Sequence, residues 1–146
     1  MRAIISACLL GVNCRYDGCN AYNEEVVEYI EDNNLIPIPV CPEQLAGLPT
    51  PREQYEVMED GFDVLEGQEE VRSVNGDSST PQFIRGAEET LKIAKLLKAE
   101  VALLKSLSPS CGAGRIYDGS FSGEIKEGYG VTAAMLKKNG IEVKEF

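Results

Sequence analysis

Apolar residues recur along this chain in short blocks of two kinds. Residues 2–8 are apolar almost without a break (Ala3-Ile4-Ile5, then Ala7-Cys8), as are residues 35–40 and the Val101-Ala102-Leu103-Leu104 core of residues 99–105. Near-continuous apolar runs of this length, bounded by polar residues, predict strands buried on both faces. Pro37 and Pro39 interrupt the second run and predict an edge strand. Ile141-Glu142-Val143 predicts a last strand. Elsewhere the spacing turns helical. Val26, Val27 and Ile30 fall on one face of a helix capped by Asn23 that runs to Asp32 and is stopped by Asn33-Asn34. Phe83, Ala87, Leu91 and Ala94 mark a helix that Thr80 caps, with Pro81 at its first position. A glycine-rich stretch leads to Tyr129-Gly130-Val131 and a final helix through Lys138, ended by Asn139-Gly140. Residues 54–74 hold short alternating runs around Asp60-Gly61 and Glu66-Gly67 and predict an inserted β-hairpin.

Strands that alternate with helices predict an α/β fold. The expected architecture is a single three-layer domain over residues 1–146, a mostly parallel sheet flanked by helices, plus the inserted hairpin. A chain of 146 residues buries enough surface for a core without disulfide staples.

Charge and composition narrow the partners. The net charge is −10, which disfavours nucleic acid and anionic membrane, since both call for clustered Lys and Arg. No apolar run approaches the roughly 18 residues of a membrane span. The N-terminus reads as a strand rather than a secretion signal, so a cytoplasmic location is expected. Histidine is absent. There is therefore no imidazole metal ligand and no Ser-His or Cys-His pair, and a metal would be held by thiolates, carboxylates or backbone groups.

Five cysteines are present, Cys8, Cys14, Cys19, Cys41 and Cys111. An odd number in a chain without a secretion signal is a poor disulfide framework. Cys8 ends the first predicted strand, Cys41 the second, and Cys111 lies just past the strand of residues 99–105. Ligands of doubly wound sheets bind outside the carboxyl ends of the strands. A single free cysteine is commonly a small core hydrophobe, but three placed after strands, beside Gly, Pro and Ser, point to a metal-thiolate site. Cys14 and Cys19 fall in the first long loop and are expected to be inert. Three thiolates suit zinc, completed by a carboxylate, a fourth cysteine or water. They also suit a [4Fe–4S] cluster with one iron left open as a Lewis acid. Glu43, two residues after Cys41, is the candidate proton carrier. Ser106, Ser108 and Ser110 surround Cys111, and Ser108 is the candidate catalytic hydroxyl. Lys105 and Arg52 are candidate anion ligands or plain surface charges. Gly112-Ala113-Gly114 and Gly128-Tyr129-Gly130 lack the full dinucleotide spacing and read as tight turns.

Several stretches resemble one family in order along the chain. They are Ser6-Ala7-Cys8-Leu9-Leu10-Gly11, Cys14-Arg15-Tyr16-Asp17-Gly18, Cys41-Pro42-Glu43-Gln44, Leu48-Pro49-Thr50-Pro51-Arg52, Ser108-Pro109-Ser110-Cys111-Gly112, Ile116-Tyr117-Asp118-Gly119 and Gly130-Val131-Thr132-Ala133. The pattern is similar to the domain of unknown function 523 (DUF523) family, which includes the thiouracil desulfidases. The resemblance implies a [4Fe–4S] cluster on Cys8, Cys41 and Cys111, with the fourth iron receiving the sulfur of a small thiolated pyrimidine. It further implies that water replaces that sulfur, assisted by a glutamate and a serine, for which Glu43 and Ser108 adjoin the matched motifs. Ala46 stands where relatives commonly have glycine, and Cys14 where relatives often carry another residue. The alternative from another class is a non-catalytic metal- or sulfide-binding protein with a cysteine-rich zinc site.

Overall fold

A computed structural model describes residues 1–146. Four parallel strands form the central sheet: β1 (Arg2–Ser6), β2 (Ile36–Val40), β5 (Val101–Leu104) and β8 (Glu142–Glu145), in the order β2-β1-β5-β8. Arg2 pairs with Ile36, Ala3 with Val101, and Val101 with Glu142. The proline-bearing β2 is an edge strand, as its composition predicts.

Alternation along the inner strands divides the core into two layers, because successive side chains leave opposite faces of a sheet. Ala3, Ile5, Val101 and Leu103 pack on one face against Val26 and Ile30 of α1 (Glu24–Asp32). Ile4, Ala102 and Leu104 pack on the other against Ala94 of α4 (Thr80–Leu96) and Ala133 and Leu136 of α5 (Val131–Lys138). The α/β architecture with helices on both faces is therefore present. No helix is long and apolar enough to cross a membrane.

Several local expectations are corrected. β1 ends at Ser6, and Ala7–Leu10 winds into a 3-10 turn that Gly11 closes at φ 94°. Cys8 thus lies in that turn and not in the strand. Between β2 and α4 the hairpin strands exist, β3 (Tyr55–Val57) antiparallel to β4 (Val71–Ser73), but a helix separates them. This helix, α3 (Gly61–Leu65), begins where the Asp60 side chain accepts a hydrogen bond from Phe62 N. A four-residue helix, α2 (Pro42–Leu45), starts directly after Cys41. Ser79 stands at the N-cap position of α4 without a side-chain capping bond, and Thr80 Oγ1 accepts a hydrogen bond from Val71 N, tying helix to hairpin. The glycine-rich stretch before α5 is a second hairpin, β6 (Ala113–Tyr117) with β7 (Ile125–Tyr129). Both hairpins share a small core of Val57, Val64, Val71, Phe83 and Ile116.

The loop between β5 and β6 is stapled to the start of α5. Gly130 N donates to Gly112 O, Val131 N to Pro109 O, and Ala133 N to Ser110 O. A Cβ at Gly130 would lie 2.5 Å from the Ser110 carbonyl carbon, so only glycine permits the approach. Gly130→Ala should therefore cost about 1–3 kcal/mol through forced displacement of that loop. Urea denaturation would read this as a lowered midpoint at unchanged slope.

Candidate functional site

Parallel pairing places the carboxyl ends of β2, β1 and β5 side by side at one edge of the sheet. The chain leaves each through a loop that carries cysteine. A cavity of about 390 Å³ opens there, lined by Cys8, Cys14, Cys41 and Cys111. Cys8 sits in the 3-10 turn after β1, Cys41 is the residue that caps α2, and Cys111 lies in the loop stapled to α5. Cys19 is exposed, with its thiol 3.9 Å from Asp17 O, and does not line the cavity.

Cys14 is expected from sequence to be inert, yet it belongs to this group of thiols. It is only 2% exposed and its thiol lies against those of Cys41 and Cys8. Contact with Cys41 draws its pKa down, but contact with Cys8 and burial outweigh this and push it up to about 11. The Cys41 thiol reaches the Cys14 carbonyl at 3.7 Å, and contact with Cys14, then burial, raise its pKa strongly. Burial pushes Cys111 up to about 12, opposed by hydroxyl contacts from Ser6 and Ser108. Without a bound cation the environment of Cys14, Cys41 and Cys111 favours the protonated thiol.

The hydroxyls beside Cys111 have defined tasks. Ser108 Oγ accepts from Ser110 N at 3.2 Å and Cys111 N at 3.0 Å, folding the loop around Cys111. Ser6 Oγ accepts from Lys105 N at 2.9 Å across two neighbouring strands. Each therefore keeps its own proton for the Cys111 sulfur. Ser6 is hidden from sequence inspection because it reads as one polar residue in an apolar strand. Ser106 accepts from Lys105 Nζ at 3.1 Å.

Glu43 and Arg52 form a buried ion pair, Nε to Oε1 at 3.1 Å, with side chains only 12% and 3% exposed. Arg52 is thus neither a free anion ligand nor a surface charge. Its Nη2 donates to Cys14 O at 2.8 Å and its Nη1 to Thr50 Oγ1 at 3.0 Å and Pro49 O at 3.2 Å. The other Glu43 oxygen accepts from Ser110 Oγ at 3.3 Å. Lys105 and Arg15 also line the cavity. Burial, and then the charge of Arg15, lower the pKa of Lys105. The Gly112–Gly114 and Gly128–Gly130 stretches serve chain packing and hairpin formation.

The donor set is soft: thiols, with the Ser6 and Ser108 hydroxyls beside one sulfur and cationic side chains nearby. Such donors fit zinc or an iron–sulfur cluster. No three Cys, Asp or Glu side chains close around one point tightly enough to hold a single ion. A zinc ion needs its sulfurs about 2.3 Å from a common centre, whereas a cluster receives thiolates on separate irons and wants them further apart. Hydrogen bonds to ligand sulfur are also a means of tuning cluster potential. The residues present fit a cluster by the number and softness of their donors.

Two outcomes follow. In metal-free native protein, a disulfide reagent should modify Cys19 fast and the other four thiols slowly, all five reacting equally once unfolded; quantifying released thiol over time checks this. Arg52→Met leaves Glu43 buried without its partner and should cost about 3–5 kcal/mol in urea denaturation. Glu43→Gln, which keeps its hydrogen-bonding shape, should cost distinctly less.

Comparison with known proteins places this geometry. The sequence profile of the 2-thiouracil desulfurase family matches residues 3–145. The uncharacterized protein YbbK of Bacillus subtilis is 41% identical over 141 residues, covering 96% of this chain and 92% of that protein. A solved structure described as the [4Fe-4S]-dependent thiouracil desulfidase TudS superimposes with a TM-score of 0.84 at 38% identity, over 99% of this chain and 89% of that one. The chain belongs to the 2-thiouracil desulfurase family.

Proposed function

We propose that this chain is a [4Fe–4S]-dependent desulfidase that removes sulfur from a thiolated pyrimidine such as 2-thiouracil, with Cys8, Cys41 and Cys111 as the cluster's thiolate ligands. The observation that carries the proposal is that these three thiols, each from a different strand-end loop, line one cavity beside a carboxylate and two unpaired cations. Family membership and the likeness to TudS support the chemistry.

The reaction replaces a C=S bond by C=O at the expense of one water, releasing hydrogen sulfide, and no electrons change hands. The cluster, when bound, supplies a Lewis-acidic iron for the substrate sulfur. Glu43 accepts a proton from the attacking water and returns it to the departing sulfur. Arg52 fixes one Glu43 oxygen and Ser110 the other, so the carboxylate is aimed before substrate arrives. Ser108 holds the Cys111 loop through two amides and keeps its hydroxyl proton for sulfur. Arg15 and Lys105 favour the negative charge that builds as water adds.

Anaerobic reconstitution with iron and sulfide should give a brown protein with about four irons per chain. Replacing Cys8, Cys41 or Cys111 by Ser should bleach it, while Cys19→Ser should not. Glu43→Gln should keep iron and colour but lower kcat on 2-thiouracil by about 10²–10⁴-fold. A colourless wild-type protein after reconstitution, or stoichiometric zinc without iron, would defeat the proposal.

A further inference from the structure

Beyond the cysteines, the cavity has a second wall built by the two hairpins, from Gln54, Tyr55, Glu56, Tyr117 and Phe121. Phe121 sits in the turn joining β6 to β7 with φ 55°. A bulky side chain with positive φ is an outlier that the surroundings must enforce. The enforcing contacts are present. One oxygen of Glu56 accepts from both Gly119 N at 3.0 Å and Phe121 N at 3.1 Å. Asp118 turns the chain by accepting from Ser120 N at 2.9 Å. Gly119 lies so close to β3 that a Cβ there would stand 3.2 Å from Met58 Cα and from Val57 O. Two of these contacts dock the turn on β3 and the Asp118 bond shapes it from within, so the half-buried Phe121 is held at the cavity.

We infer that Phe121 is a specificity-determining residue that supplies an aromatic face for the ring of a planar heterocycle, and that Glu56 is its positioning residue. The inference rests on the desulfidase proposal for the identity of that ring. Offset contact between an aromatic side chain and a planar base is favourable and tolerant of ring substituents. The carboxylate of Glu56 is the acceptor best suited to two main-chain N–H groups at once. Its neighbours on the wall, Tyr55 and Tyr117, are anchored in β-strands. Tyr55 is further committed to Phe83, with ring centroids 5.1 Å apart. Phe121 is the aromatic residue of this wall whose backbone is held at the cavity by contacts of its own, through Glu56 and the Gly119 approach.

The test uses the anaerobically reconstituted protein, with two readouts. Steady-state kinetics on 2-thiouracil report KM and kcat separately, and calorimetric titration with uracil reports ring binding without turnover. Phe121→Ala and Phe121→Leu should each raise KM and the uracil Kd about tenfold or more, with a much smaller change in kcat and an unaltered cluster spectrum; Phe121→Trp should restore binding. Glu56→Ala should reproduce the binding defect, and Glu56→Gln, which retains the acceptor oxygen, should rescue it. If both Phe121 variants keep wild-type KM and uracil affinity, or lose kcat and KM effects in equal measure, the clamp is overturned. If wild type binds uracil, and Phe121→Ala does not, while 2-thiouracil is not turned over, the clamp stands and the desulfidase proposal falls.

Discussion

Arg52 is the one side chain that ties the thiol-bearing loops into a single body. Its guanidinium is buried, so every N–H must find an acceptor or the group becomes strongly destabilising. The acceptors it finds are Glu43, Thr50, Pro49 and the carbonyl of Cys14. Glu43 follows Cys41 by two residues and also receives Ser110, the neighbour of Cys111. One satisfied cation thereby links the loops that hold Cys14, Cys41 and Cys111. Charge-assisted hydrogen bonds are shorter and more directional than neutral ones. The spacing of the thiols is consequently set by an ion pair rather than by hydrophobic packing alone.

The same pair explains how a chain of charge −10 supports thiolate chemistry. Four thiols in one cavity repel each other once ionised, and burial raises the pKa values of Cys14, Cys41 and Cys111. Glu43 adds to that repulsion at Cys41 and Cys111, and the Arg52 guanidinium beside it acts in the opposite sense on Cys14. Arg15 and Lys105 are two further cations in the same cavity lining. The acidic surface keeps the molecule dispersed, while Arg15, Arg52 and Lys105 put positive charge in the cavity lining.

What could be read from sequence was what short-range pattern encodes. The apolar blocks gave the parallel strands, Pro37 and Pro39 marked the edge, and Asn23 and the Val26 and Ile30 spacing located α1. The end of β1 was not legible because Ala7, Cys8 and Leu9 stay apolar in the 3-10 turn, where tertiary burial replaces the ladder. The β6–β7 hairpin was masked because Gly114 and Gly128 break its alternation and its long turn is rich in serine. Helix α3 was missed because five residues between two glycines carry too few turns for a period to emerge. The placement of Cys14 and Ser6 was not legible for another reason. Their neighbours come from loops and strands distant in sequence, and no local pattern announces that Cys14 will close against Cys41 or Ser6 against the Lys105 amide.

The two halves of the cavity are built by different kinds of structure, and one short stretch joins them. Soft donors come from the strand ends of the parallel sheet, which aligns loops from distant parts of the chain. The aromatic wall comes from antiparallel hairpins, whose turns present side chains away from the sheet. Residues 49–56 pass from one to the other. Pro49 and Thr50 support Arg52, the Arg52 amide donates to Tyr16 O in the Cys14 loop, and four residues later Glu56 grips the turn that carries Phe121. A shift of this segment would move the thiols and the ring-facing wall together. The distance between the thiols and the aromatic wall is therefore fixed within a single β-strand and its lead-in loop, as the proposed reaction at one exocyclic atom of a planar ring would require.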